Sequence, residues 1–186
     1  MRHGRALIRS GNRSGTASGR APLAERPFGR PAEPTVCEGC GAVFRNRAWR
    51  RGADATVTHG ILAGAQWALC PACIQTRREE YLGRVLVRGP MSDETTAAIR
   101  RRVRNVAQRA EWTQPERRIV SIDRSGDGLE ILTTSQKLAH RLVHELKKAF
   151  GGRATYRWSD DGSLFAVWRG RTSATSPSRA KHPKRA

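Results

Sequence analysis

The clearest signals along the chain are three apolar periods. Ile99, Val103, Val106, Ala107 and Ala110 recur at i, i+4, i+7, i+8 and i+11, which predicts a helix over residues 93–110. Ser92 precedes it as an N-cap, and Asp93 and Glu94 put acid in its first turn. Leu138, Leu142, Leu146 and Phe150 form a second stripe, widened by Ala139, Val143 and Ala149. Thr134 or Ser135 caps that helix, and Gly151-Gly152 stops it. The third period is two. It predicts a strand over 118–123, a turn at Ser125-Gly126-Asp127-Gly128 and a return strand over 129–133. Strands over 154–159 and 163–169 follow, joined by Asp160-Asp161-Gly162. The order ββαββ predicts an antiparallel sheet with one covering helix. Upstream, residues 84–88 read as a short strand, ended by Gly89-Pro90.

The ends of the chain lack any such pattern. Residues 1–35 hold seven Arg and two Glu among Gly, Ser, Pro and Ala, and residues 170–186 hold five Lys or Arg and no acid. Both read as disordered basic tails. The first has the Arg-rich, acid-poor look of an organelle transit peptide, but its Gly and Pro break any amphipathic helix. The expected organisation is therefore α+β. A small unit spans 36–89, a helix spans 92–111 and a ββαββ unit spans 116–169, with a tail at each end.

The small unit has few apolar residues, and its chemistry lies in its cysteines. Cys37-Glu38-Gly39-Cys40 is followed by Gly41, and Cys70-Pro71-Ala72-Cys73 comes after a gap; the chain has four cysteines in all. Two residues between cysteines let a tight turn bring both thiolates to one side, and Gly41 gives the turn backbone freedom. Two such knuckles supply four sulfurs to a tetrahedral zinc ion. Other readings fit less well. Disulfides need an oxidising compartment, and no secretory signal is present. A redox Cys-x-x-Cys normally occurs once. A catalytic zinc keeps one position open for water, whereas four cysteines fill every position. A closed structural zinc, ligated by Cys37, Cys40, Cys70 and Cys73, is the expectation. Phe44 and Trp67 are expected to pack beside it. His59 would find no vacancy. His140 and His144 stand at i, i+4, but no Glu follows the first as a metalloprotease helix requires.

Charge then points to a partner. The net charge is +19 and the pI about 11.5, so polyanions concentrate on this surface, nucleic acid first among them. The tails do not account for it alone, because residues 36–169 carry 23 Lys or Arg against 14 acids. Four thiolates around one zinc would lower that segment's charge by two. Arg outnumbers Lys 30 to 5. That excess suits bidentate phosphate contacts and base stacking, but GC-rich coding would also produce it. Arg100, Arg101 and Arg104, flanked by Arg102 and Arg109, crowd the first helix with no acid until Glu111. Like charges at this spacing repel, and an anionic partner would relieve them. Trp49, among Arg47, Arg50 and Arg51, either stacks a nucleobase or covers a small core.

Several enzyme classes have no signature here. No Gly-Lys pair occurs, so no P-loop can be written, and no G-x-S-x-G elbow or paired carboxylates are present. No run of 18 apolar residues exists to span a membrane.

The two knuckles, Pro115-Glu116-Arg117-Arg118 before a strand, Gly128-Leu129-Glu130-Ile131-Leu132-Thr133-Thr134 and Leu138-Ala139-His140-Arg141 together resemble a family of small bacterial zinc-ribbon proteins of unknown function. More distantly, the chain resembles the amino-terminal zinc-ribbon region of the Nmd-three-type adapters of the large ribosomal subunit, which pair more such cysteines with a small α+β domain. The likeness covers residues 36–169, and it implies the four metal ligands already named. With the charge, it gives the expectation of a non-catalytic, cytoplasmic zinc-ribbon protein that binds nucleic acid, RNA or ribosome before DNA. The alternative is a protein–protein interaction module with solubilising tails.

Overall fold

A computed structural model describes residues 30–51 and 64–171. Most of both tails, and His59, lie outside the described residues. The elements run β1 (Thr35–Cys37), β2 (Val43–Arg45), β3 (Ala48–Arg50), β4 (Gln66–Ala68), α1 (Pro71–Arg77), β5 (Gly83–Arg88), α2 (Asp93–Thr113), β6 (Ile119–Ser125), β7 (Gly128–Thr133), α3 (Gln136–Phe150), β8 (Arg153–Trp158) and β9 (Leu164–Arg169). The fold is mixed α+β with two sheets. A small four-stranded sheet has the order β3-β2-β1-β4, and a larger five-stranded sheet has the order β6-β7-β5-β9-β8.

The two expected helices form where the apolar stripes place them. Ser92 accepts a hydrogen bond from the Thr95 N–H at 3.1 Å, and Ile99, Val103, Val106, Ala107 and Ala110 are all buried. Ser135, not Thr134, caps α3, and Leu138, Ala139, Leu142, Val143 and Leu146 are buried. Ala149, expected to widen that stripe, is exposed. Both helices pack on the same side of the larger sheet, over Val85, Val87, Leu129, Ile131, Leu164 and Trp168. Trp168 is fully buried, and its indole N–H is satisfied by the Gly151 carbonyl at 2.9 Å.

Four expectations are corrected. Residues 84–88 do not close the small unit. They form β5, in the middle of the larger sheet, antiparallel to β7 and parallel to β9. The cause is Val85 and Val87. Both are fully buried there, in the core shared with α2 and α3. It follows that the sheet is mixed, not antiparallel, and that two helices cover it, not one. The ordered chain also extends into both expected tails. Thr35 opens β1 and is buried, and the Gly170 N–H bonds the Arg88 carbonyl at 3.1 Å.

Candidate metal centre

The first cysteine pair sits on a tight turn after β1. The Gly41 N–H bonds the Cys37 carbonyl at 2.8 Å, and the Cys37 N–H bonds the Ala42 carbonyl at 2.7 Å. Gly41 takes φ +70, a left-handed conformation that a Cβ would strain. The second pair is built differently from the facing turn expected of it. Cys70 is the N-cap of α1 and Pro71 opens the helix, where a residue without an N–H costs nothing. Cys73 lies in the first turn of α1, on the same side as Cys70.

All four sulfurs lie within 4.8 Å of one another. Cys37 and Cys73 are 3.7 Å apart, and Cys40 and Cys70 are 3.8 Å apart. A disulfide would bring two sulfurs to about 2.05 Å, so the thiols are unbonded. Four sulfurs at about 2.3 Å from a central zinc stand about 3.8 Å apart along each edge of their tetrahedron. The donor set thus fits one metal ion and leaves no position for water. Cys37, Cys70 and Cys73 are buried and Cys40 is half-buried. Around them lies a miniature core of Ala42, Ala72, Leu69 and Trp49.

Donors around the sulfurs favour thiolate at Cys40, while burial opposes it at Cys70 and Cys73. The Cys70 N–H points at the Cys37 sulfur at 3.2 Å. Arg118, just before β6, sends Nη1 to the Cys73 sulfur at 3.2 Å and Nε to the Pro115 carbonyl at 2.7 Å. Burial pushes the Cys40 thiol up, but the Ala42 N–H and the Arg118 guanidinium outweigh it and hold Cys40 down at about 7. Burial pushes the thiols of Cys70 and Cys73 up, so in the absence of a cation these two favour the neutral form. Burial also works against the Arg118 charge, but the neighbouring cysteines hold its pKa above the ordinary arginine value. Sequence reasoning gave Arg118 no such role. It is 45 residues from Cys73 in the chain, and no local pattern marks a residue that only the tertiary fold brings to the sulfurs.

The same arginine joins the small sheet to the larger one. Arg51 donates to the Cys40 carbonyl at 2.8 and 3.2 Å and to the Glu111 carboxylate at 2.8 Å. Glu111 in turn lies 3.4 Å from Arg118. One carboxylate near the end of α2 therefore bridges two arginines that both reach the cysteine knuckles.

The arginines expected to meet nucleic acid divide into tied and free groups. Arg51 is tied as described. Trp49 packs at the cysteine cluster and against Phe44, ring centroids 5.4 Å apart, which makes it a core residue of the small unit. Trp67, expected to pack beside the metal, is instead 58% exposed. Asn46 and Arg47, both at positive φ, form the two-residue β2–β3 turn, and their N–H groups cradle the Glu33 carboxylate at 2.8 and 3.0 Å. The Arg47 N–H foremost holds the Glu33 carboxyl below its usual range. The residues Arg47 and Arg50 are exposed. On α2, Arg100 donates to the Ile122 carbonyl at 3.1 Å and Arg102 pairs with Glu145. Arg101, Arg104 and Arg109 are exposed, with no ion pair among the described residues. Asn105, Gln108, Arg109 and Trp112 line a shallow open hollow on the same outward face, and Trp112 is 64% exposed. His140 and His144 are both exposed. His140 packs against Tyr156, with ring centroids 5.0 Å apart. Among the described residues, the four cysteines are the one group placed to hold a metal. No helix of the described residues is long and apolar enough to cross a membrane.

No protein-family model matches this chain, and no curated protein matches it.

Proposed function

We propose that this chain is a non-catalytic, zinc-stapled module that binds nucleic acid, RNA or the ribosome before DNA, through phosphate-directed electrostatics. Zinc is the ion favoured by four thiolates in a closed tetrahedral set. Cys37, Cys40, Cys70 and Cys73 hold it, and it supplies folding free energy without a reactive water. Arg118 balances part of the negative charge of the metal–thiolate cluster. The observation that carries the binding reading is the outward face of α2. Arg101, Arg104 and Arg109 extend from it unpaired among the described residues, beside two amides and an exposed indole. Guanidinium groups meet phosphates, amides meet base or sugar edges, and an indole stacks bases. The preference for RNA or ribosome rests on the family resemblance and on the abundance of arginine. Filter binding of RNA to the full chain, compared with R101Q/R104Q/R109Q, tests this reading. The triple variant should bind more weakly and with a shallower dependence on salt.

A second reading has its own observation. Trp67 lies on β4, at the edge of the small sheet, and is 58% exposed. A large exposed indole on an edge strand suits a protein partner. A complex that survives nuclease but is lost on chelation would favour this reading.

A further inference from the structure

The two long helices, α2 and α3, pack on one side of the larger sheet. Val85, Val87, Ala166 and Trp168 face α2 and α3 and are buried. Side chains alternate along a strand, so their neighbours face the other way. On that second face, Glu130 and Leu132 of β7 are buried, whereas Arg153, Arg157 and Arg169 of β8 and β9 are exposed. The strand register sets its side chains in rows across β5, β9 and β8. Arg88 is opposite Arg169, which is opposite Arg153. Arg84 is opposite Phe165, which is opposite Arg157. Between these rows lies a short apolar row in which Leu86 is opposite Val167.

Such an arrangement is costly for a sheet with no partner. Like charges directly opposite on neighbouring strands repel. Arg88 is held by the Ser125 carbonyl at 2.6 Å and lies 3.4 Å from Asp127. Arg153, Arg157 and Arg169 are exposed and make no ion pair among the described residues. Phe165 is half-buried, and the Arg84 guanidinium stands 5.6 Å from its ring centroid, itself fixed by Glu130 at 2.6 Å. An aromatic ring beside a fixed guanidinium, flanked by exposed arginines on one face of a sheet, is a stacking platform with its phosphate contacts alongside.

We infer that this open face is a binding surface for single-stranded nucleic acid. Bases stack on Phe165 and Arg84, and Arg153, Arg157 and Arg169 neutralise phosphates. The arginine row and the ring row are four residues apart, about 13 Å, which suits two or three nucleotides. A duplex keeps its bases inside the stack and cannot use the ring. The inference rests on the nucleic-acid reading above but concerns the opposite side of the larger sheet from α2.

The test is fluorescence anisotropy with full-length protein and labelled 12-mer oligonucleotides, one uridine RNA, one thymidine DNA and one mixed-sequence duplex. The wild type should bind the single strands more tightly than the duplex, and the RNA and DNA arms report which sugar is preferred. F165L should weaken single-strand binding about fivefold or more while leaving duplex binding unchanged. R153Q/R169Q should weaken single-strand binding and reduce its salt slope by about 1.4. The arginine variant removes a repulsive pair, so its melting temperature should equal or exceed that of the wild type, which separates lost binding from lost folding. If both sheet variants bind single strands as the wild type does while R101Q/R104Q/R109Q does not, this inference is overturned and the proposed function stands. Equal wild-type affinity for duplex and single strand also overturns it. If the wild type binds no oligonucleotide at all, both fall.

Discussion

Removing one sulfur should unfold the small sheet and leave the larger one intact. Cys70 is the residue to change, because it is 1% exposed and caps α1 while its sulfur belongs to the four-cysteine cluster. Among the described residues, the small unit buries three large apolar side chains, Val36, Val43 and Phe44. Each contributes about 1.5–3 kcal/mol when fully buried, so the three together give less than about 10 kcal/mol. A structural zinc ion contributes about 10–16 kcal/mol in small zinc domains, which makes it the larger favourable term. The larger unit needs no such help. Its core joins three strands of the sheet to both long helices and includes Trp168, Leu142 and Ile131, all at 1% exposure or less. Hydrogen exchange read by mass spectrometry distinguishes the two. In C70S, or in chelated wild type, amides of residues 35–50 and 66–77 should exchange rapidly. Those of β5, β7, β9 and α3 should stay protected. Persistent protection in 35–50 would refute the staple. Loss of protection in β5 and β7 as well would refute the independence of the larger unit.

Three further outcomes follow from particular contacts. Arg118 donates to the Cys73 sulfur of the cluster, so R118Q should weaken zinc binding about 10–100-fold in a competitive chelator titration, and R118K should weaken it less. Leu142 is 1% exposed on the inner stripe of α3, and L142A should cost about 2–5 kcal/mol in chemical denaturation without changing the metal content. The Arg102 side chain holds the Glu145 carboxyl below its ordinary value of 4.5. The stability from that pairing is present above pH 4.5 and is lost as pH falls through the lowered pKa. Both groups are partly exposed, so R102A should cost about 1 kcal/mol or less at pH 7, and its melting temperature should converge on the wild-type value in acid.

How much of this could be read from the sequence depends on the range of each signal. The helices were legible because their apolar residues repeat locally at the helical period, as Ile99 to Ala110 and Leu138 to Leu146 do. The cysteine cluster was legible because two short steps of fixed spacing carry the chemistry by themselves. The position of β5 was not. Its alternation of Val85 and Val87 with Arg84 and Arg88 shows a two-faced strand but cannot say which sheet takes it, and β7 and β9 lie more than 40 residues further on. Arg118 was hidden for the same reason. The arginine rows were half visible. Arg153 and Arg157 alternate along β8 with Tyr156 and Trp158, so an outward face could be read. That Arg153 lies opposite Arg169, and Arg169 opposite Arg88, is a matter of register, which no single strand encodes. Trp49 shows a local pattern misleading in the other direction. An indole among three arginines has the look of a base-stacking site, yet its ring packs at the cysteine cluster.

If nucleic acid binds this basic surface through its phosphates, as proposed, its affinity must fall with salt. Filter binding of a single-stranded RNA to the zinc-loaded full chain should give an affinity that falls linearly on a logarithmic salt scale. Arg101, Arg104 and Arg109 alone set a slope of about −2, and contacts from the open sheet face would steepen it. A slope near zero, or no binding even at low salt, would rule out phosphate-directed binding.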